Sequence, residues 1–434
     1  MADDHIRRGG RRLTATETEF ERQKALLVSV ARSRRDEPES IASLAELALL
    51  SETAGSDPVG EELVRRAKPD PGTFIGSGKA EELAELATAL DVDVVIFDNE
   101  LTPAQQGKLK AIFRCDVVDR IAVILDIFAQ HAHTKEGMLQ VELAQYRYQL
   151  PRLRGKGTEL SRLGGGIGTR GPGETRLETD RRRILGRIGK IERELKHLER
   201  GRDTRRKARR KAKLPVIAIV GYTNAGKSTL FNRLTDAEVL VRDQLFATLS
   251  STVRKLELPA GHEALLSDTV GFVRRLPHEL VQAFHSTLEE VADSDLLLHI
   301  VDAADADPDR QIASVRTVLS EIGAAALPEM LVVNKTDIAP APAVHRLLQL
   351  HSGAVAVSAR TGDGLDELGA ALVEALERTT SEVELRVPYD RGDLVAAVHR
   401  AGDVLKQTHE DDATVLHVRL PTANVSEFEA YRVG

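Results

Sequence analysis

Tryptophan is absent, cysteine occurs once, and aromatic residues make up only 3% of the chain. So few rings argue against a surface built to stack single-stranded nucleic acid. The lone Cys115 excludes an internal disulfide, points to a reducing compartment, and reads as a small buried hydrophobe. The polar start, Met1 to Arg12, has no apolar core of a secretory leader. Long hydrophobic runs are also missing. Ile121 to Ala129 is interrupted by Asp126, and Leu296 to Ala304 by His299 and Asp302, so no membrane span is expected. These absences together predict a soluble, cytoplasmic protein, taken to act as a monomer.

What is present is an ordinary 42% apolar content spread over 434 residues, enough for about three domains. The net charge of −7 excludes a generally basic protein, but the charge is unevenly placed. Between Pro151 and Lys213 stand 22 Lys and Arg against 8 Asp and Glu, a local +14 that leaves −21 on the remainder. A basic element facing a polyanion, carried by acidic domains, fits this asymmetry.

The hydrophobic pattern divides the chain. Residues 1–16 read as a disordered tail, and 17–137 as an α/β domain. Strands are expected at Ala25–Val30, Val92–Phe97 and Cys115–Val118, with helices at Glu39–Thr53, Lys79–Leu90 and Thr102–Phe113. Residues 138–213 carry two heptad-like stripes. One is Leu139, Leu143, Tyr146, Leu150; the other is Ile184, Ile188, Ile191, Leu195, Leu198. A Gly-rich stretch, Gly164 to Glu174, lies between them, so the region reads as an antiparallel helical hairpin. Residues 214–380 again alternate strands and helices, predicting a mostly parallel sheet. Its strands are expected at Val216–Val220, Ala264–Ser267, Leu296–Val301, Met330–Val333 and Ala354–Val357. Residues 381–434 read as a small α+β domain with one helix over Gly392–Thr408.

Four motifs carry chemistry in the third region. Gly221-Tyr222-Thr223-Asn224-Ala225-Gly226-Lys227-Ser228 fits the phosphate-loop pattern, between an expected strand and an apolar helix. Its backbone N–H groups can curl around phosphates at the positive end of that helix. Lys227 is expected to reach the β- and γ-phosphates, Ser228 to ligate Mg²⁺, and Thr229 to bond an α-phosphate. Gly76-Ser-Gly-Lys79 superficially resembles this motif, but Ala80 offers no hydroxyl for a metal, so it reads as a turn into a helix. Asp268-Thr269-Val270-Gly271 lies 47 residues after Gly221 at an expected strand end. Asp268 there can hold Mg²⁺ through water, and the Gly271 N–H can approach a γ-phosphate.

Asn334-Lys335-Thr336-Asp337 selects the base. A carboxylate accepts from guanine N1–H and N2–H₂, and adenine has neither donor. A site built on such bonds rejects the wrong base by ~10⁴. Lys335 can lie along the base plane and Asn334 can brace the phosphate loop. In Ser358-Ala359-Arg360 the Ala359 N–H can bond guanine O6. Each motif falls at the end of an expected strand, where open α/β sheets bind ligands. The set predicts a GTP- and GDP-binding GTPase whose catalytic residues are Lys227, Asp268 and Gly271. Phe246-Ala247-Thr248-Leu249-Ser250-Ser251-Thr252 offers two threonines, Thr248 and Thr252, as a Mg²⁺ ligand ordered by the γ-phosphate. Phe272 stands where many Ras-like GTPases carry the glutamine that orients the attacking water, so slow intrinsic hydrolysis is expected.

The motif set resembles the translation-factor-like branch of P-loop GTPases. Five further segments stand out: Leu125-Asp-Ile-Phe-Ala-Gln130, Gln140-Val-Glu-Leu-Ala-Gln145, Leu163 to Glu174, Leu177-Glu-Thr-Asp-Arg-Arg182 and, last, Phe246-Ala-Thr-Leu249. With them the chain resembles, more narrowly, the HflX family of ribosome-associated GTPases. The last of these segments selects Thr248 over Thr252. Ser250-Ser251 departs from the family's usual Asp-Pro. The resemblance implies an N-terminal α/β domain, a helical hairpin and a G domain. It also implies binding to rRNA of the large (50S) subunit near the peptidyl-transferase centre, and splitting of stalled or idle ribosomes. The basic hairpin, with Arg181-Arg-Arg183 and the stretch Arg202–Lys213, suits such a partner. The alternative reading is an RNA-binding chaperone or remodelling protein with a regulatory GTPase.

Overall fold

A computed structural model describes residues 22–153, 172–211, 214–235, 246, 252–269, 271–273, 285–378, 380–421 and 425–433. Gly164 to Gly171 of the Gly-rich stretch, Thr248 and its neighbours Ala247, Leu249 and Ser250, and Val270 lie outside these residues, while Pro172, Gly173 and Glu174 begin a helix. The helix that carries Arg202 to Lys211 is described without side chains there.

The first sheet is all parallel, in the order β2-β1-β3-β4. Its strands are β1 Gln23–Ala31, β2 Ser56–Arg65, β3 Val94–Phe97 and β4 Asp116–Asp119. Successive side chains point to opposite faces. Leu26, Val28, Val95 and Phe97 meet α2 (Ser77–Ala89) and α3 (Pro103–Phe113) on one face. Leu27 and Ile96 meet α1 (Glu37–Thr53) and α4 (Arg120–His131) on the other. Thr102 begins α3 with a reciprocal cap: its hydroxyl accepts from Gln105 N–H, and Gln105 Oε1 accepts from Thr102 N–H. Strand β2 was not legible beforehand, because Pro58 and Gly60 interrupt its pattern. It lies at the sheet edge, where a proline costs no ladder bond, and the register shifts beside Ala25 and Leu26 absorb the irregularity.

The hairpin consists of α5 (Lys135–Arg152) and the 40-residue α6 (Pro172–Lys211). Leu139, Leu143 and Tyr146 pack with Ile188, Ile191, Leu195 and Leu198. Arg187 clasps Glu142 with two bonds of 2.7 and 2.6 Å. Buried Asp119 ties α5 to the first sheet, accepting from the Tyr148 hydroxyl at 2.9 Å and Arg152 Nη2 at 3.1 Å.

The second sheet has the order β10-β9-β8-β5-β7-β6. It comprises β5 Val216–Gly221, β6 Thr252–Glu257, β7 Glu263–Asp268, β8 Leu296–Asp302, β9 Glu329–Asn334 and β10 Val355–Ala356. Only β6, an edge strand absent from the sequence reading, runs antiparallel. The helices α7 (Lys227–Thr235), α8 (His285–Ala292), α9 (Pro308–Glu321), α10 (Ala341–Leu350) and α11 (Leu365–Arg378) connect the strands. One buried cluster runs from Leu27, Leu47 and Phe128 of the N-terminal sheet layer to Val220, Tyr222, Phe272 and Val315 of this one. The two layers therefore share a core.

The C-terminal unit corrects one expectation. The helix expected over Gly392–Thr408 ends at Ala401, as α12 (Gly392–Ala401), and Asp403–His409 is strand β12. Strand β12 and β11 (Thr380–Pro388) both pair antiparallel with β13 (Ala413–Pro421). Gly402 makes the break. It sits so close to Arg419 that an added Cβ would lie 2.4 Å from that residue's carbonyl oxygen.

Candidate functional site

The phosphate loop joins the end of β5, the sheet's central strand by position next to β8, to the start of α7. Its path depends on Gly226, whose φ of +93° belongs to the left-handed side and whose α-carbon faces Asn334. A Cβ there would lie 2.2 Å from Asn334 Nδ2. Lys227 is buried, and its Nζ donates to the Tyr222 carbonyl at 2.7 Å. Burial pulls its pKa down to about 8, and the nearby Asp268 carboxylate opposes that shift.

Asp268 ends β7, beside β5, and is fully buried. Ser228 Oγ donates to its Oδ2 at 3.1 Å, and the Thr269 N–H donates to its Oδ1 at 3.1 Å. Thr269 turns its own hydroxyl to the Ile219 carbonyl at 2.6 Å, which pins the start of this loop to β5. A serine hydroxyl beside a carboxylate is an all-oxygen donor pair, which suits a hard divalent ion that keeps waters and takes further ligands from phosphate. Among the described residues no three His, Cys, Asp or Glu side chains gather into a protein-only metal cage.

The loops after β5 and β7 are stitched together. Thr223 N–H donates to the Phe272 carbonyl at 2.7 Å, and Phe272 N–H donates to the Gly221 carbonyl at 3.1 Å. Gly271 is thereby pressed against the phosphate loop, where a Cβ would meet Thr223 Cγ2 at 2.8 Å and Lys227 Nζ at 3.0 Å. The Phe272 ring is buried in the core and turned away from solvent.

The base motifs converge on the same edge. Asn334 Nδ2 donates to the Ala225 carbonyl at 2.8 Å, and its Oδ1 accepts from Ala359 N–H at 3.0 Å. Asp337 accepts from Ser358 Oγ at 2.8 Å and pairs with Arg360. The Ser358 bond, helped by Arg360, holds the Asp337 pKa below the usual carboxylate value. Lys335 Nζ sits 2.7 Å from Asp302 at the end of β8. Arg233 of α7 donates to the Arg360 carbonyl at 2.6 Å, closing the third motif onto the phosphate-loop helix.

Asn224 sits in the loop with φ +60°, and Thr229 lies in the first turn of α7. Phe246 is buried, with its ring edge-on to Phe128 of α4, centroids 4.5 Å apart. Sequence reasoning missed the groups behind Tyr222. Its hydroxyl donates to Glu46 Oε1 of α1 at 2.6 Å, across 176 residues of chain, and Glu46 in turn meets Arg120. Nothing in the local pattern around Glu46 marks it.

A phosphate loop at the end of a parallel strand, a carboxylate and glycine at the next, and a braced asparagine–aspartate pair define a P-loop GTPase. Three family models cover most of the chain: GTP-binding GTPase N-terminal over residues 41–129, GTP-binding GTPase Middle Region over 131–209, and 50S ribosome-binding GTPase over 216–335. GTPase HflX of Caldanaerobacter subterraneus is 46% identical over 90% of this chain and 89% of its own. GTPase HflX of Escherichia coli is 45% identical over 87% of this chain and 89% of its own. A GTP-binding protein from Sulfolobus solfataricus, solved with GDP, is 24% identical over 82% of this chain and 99% of its own, with a TM-score of 0.42. The chain belongs to the HflX family of GTPases. It binds GTP and hydrolyses it. No described helix is long and apolar enough to cross a membrane.

Proposed function

We propose that this GTPase is a ribosome-associated switch in the cytoplasm that binds the large subunit and, with GTP, splits stalled or idle ribosomes. The supporting observation is family membership joined to a model described as a 50S ribosome-binding GTPase over residues 216–335. The long basic helix α6 agrees with it: Arg181, Arg182 and Arg183 are exposed, and their guanidinium groups can neutralise RNA phosphates.

In the nucleotide site, the loop Gly221 to Ser228 cradles the phosphates and Lys227 neutralises the β- and γ-oxygens. Ser228, Thr248 and, through water, Asp268 would hold a magnesium ion. Such an ion, when bound, supplies positive charge that offsets the charge on the β- and γ-phosphates. Gly271 presents its N–H to the γ-phosphate, and Asp337 with Ala359 reads guanine. The buried Phe272 cannot orient water, so isolated turnover is slow and a partner raises it by ~10³ or more.

Gradient sedimentation with purified ribosomes tests this reading. With a non-hydrolysable GTP analogue the protein should travel with large subunits and convert 70S particles to subunits; with GDP it should do neither. Hydrolysis stimulated by free RNA as strongly as by intact large subunits would favour the chaperone alternative and overturn the splitting role.

A further inference from the structure

The N-terminal sheet ends in a buried polar chain that reaches the nucleotide site. Asp98, at the C-terminal end of β3, accepts from Ser29 Oγ at 3.2 Å, Ser43 Oγ at 2.9 Å and Arg120 Nη1 at 2.8 Å. Arg120 turns its other terminal nitrogen to Glu46 Oε2 at 2.8 Å. Glu46 spends its remaining oxygen on the Tyr222 hydroxyl at 2.6 Å, the length of a charge-assisted O–H···O⁻ bond. The chain is dry: the side chains of Arg120, Glu46 and Asp98 are 4%, 11% and 1% exposed. Arg120 Nη2 and Glu46 Oε2 meet as an ion pair without hydrogen-bond geometry, and Arg120 Nε is buried without a hydrogen bond, so charge attraction in a dry setting is what holds Glu46 to Arg120.

Tyr222 is more than an interface residue. Its carbonyl carries the Lys227 ammonium, and its neighbours Gly221 and Thr223 make the two backbone bonds to Phe272, next to Gly271. Turning the Tyr222 side chain would therefore move the support of the phosphate-loop lysine and the strand that presents Gly271. Two further grips come from the same layer. Phe128 packs against Phe246, two residues before Thr248, and Glu39 of α1 pairs with Arg310 of α9 at 2.8 Å.

We propose that Glu46 is a positioning residue for GTP hydrolysis: fixed by Arg120 and Asp98, it grips the Tyr222 hydroxyl and sets the carbonyl on which Lys227 rests. The N-terminal domain then acts as a built-in support for the γ-phosphate half of the site. This rests on reading Gly221–Ser228 as the phosphate loop.

The full-length protein carrying Tyr222→Phe tests it, since only one hydroxyl is lost and the Glu46–Arg120 pair stays. Binding of fluorescent GDP and a non-hydrolysable GTP analogue is measured beside single-turnover hydrolysis and thermal melting. The analogue's affinity should fall ~10-fold, GDP's by clearly less, and the hydrolysis rate by several-fold, with the fold retained. Glu46→Gln, whose amide oxygen still accepts from Tyr222 but whose N–H₂ faces Arg120, should recover part of what Glu46→Ala loses. The double variant Tyr222→Phe/Glu46→Ala should be no worse than the poorer single one. A folded Tyr222→Phe protein with the wild-type rate and an unchanged GTP-to-GDP preference would overturn the proposal. Lys227→Ala runs in parallel: if it binds and hydrolyses GTP like the wild type, the phosphate-loop reading itself fails, and the proposal with it.

Discussion

Asn334 Nδ2 donates to the Ala225 carbonyl at 2.8 Å, so the base motif and the phosphate loop are joined by one amide side chain. The same amide accepts from Ala359 N–H, which brings the third motif into register with the other two. Asn334→Ala would leave a buried carbonyl and a buried N–H unpaired, each costing about 1–3 kcal/mol. Because this brace lies away from the γ-phosphate elements, affinity for GTP and GDP should fall together, by roughly 10- to 100-fold. Nucleotide titration checks this; a loss confined to GTP would show that Asn334 answers to the γ-phosphate.

Asp337 keeps both oxygens engaged with Ser358 and Arg360, on the rim beside the phosphate-loop helix. In the proposed base site its carboxylate would complement two guanine donors. Asp337→Asn replaces one acceptor by a donor and should reverse the preference. GTP binding should drop by ~10² or more while xanthosine triphosphate, with an acceptor at position 2, binds better. Competition binding with the two nucleotides reads the exchange directly, and unchanged GTP affinity would remove Asp337 from the base site.

With Lys227 on the phosphates, as proposed, nucleotide binding should depend on pH. Burial lowers its pKa to about 8 in the protein alone. Bound phosphates favour the ammonium and raise that pKa, so above pH 8 binding must take up a proton. GTP affinity should be level below this point and then weaken with rising pH, approaching a limit of about tenfold per unit. Titrations at steps between pH 7 and about pH 9 test it. A level profile across that range would mean that the amine stays charged without nucleotide. Lys227→Ala should abolish turnover at every pH.

The nucleotide motifs were readable because phosphate and guanine recognition is written in short contiguous segments. A turn that aims consecutive N–H groups needs glycines at set spacings, as at Gly221 and Gly226, and Asn334-Lys-Thr-Asp337 after an expected strand, in order with the other motifs, is what proposes Asp337 for the base. The heptad stripes of α5 and α6 were equally local, since helix packing repeats along each segment. Elsewhere local signals failed. Edge strand β2 tolerates Pro58 and Gly60 because one of its sides has no sheet neighbour, and β12 resembled a continuation of α12 until Gly402 met Arg419. The link from Glu46 to Tyr222 left no trace in the sequence. Its partners lie 176 residues apart and meet only because two sheet layers bury a common apolar face. Sequence alone determined which nucleotide the protein takes and hydrolyses; the tertiary structure alone decided what stands behind the phosphate loop, because burial and long-range contact arise only once the layers have packed.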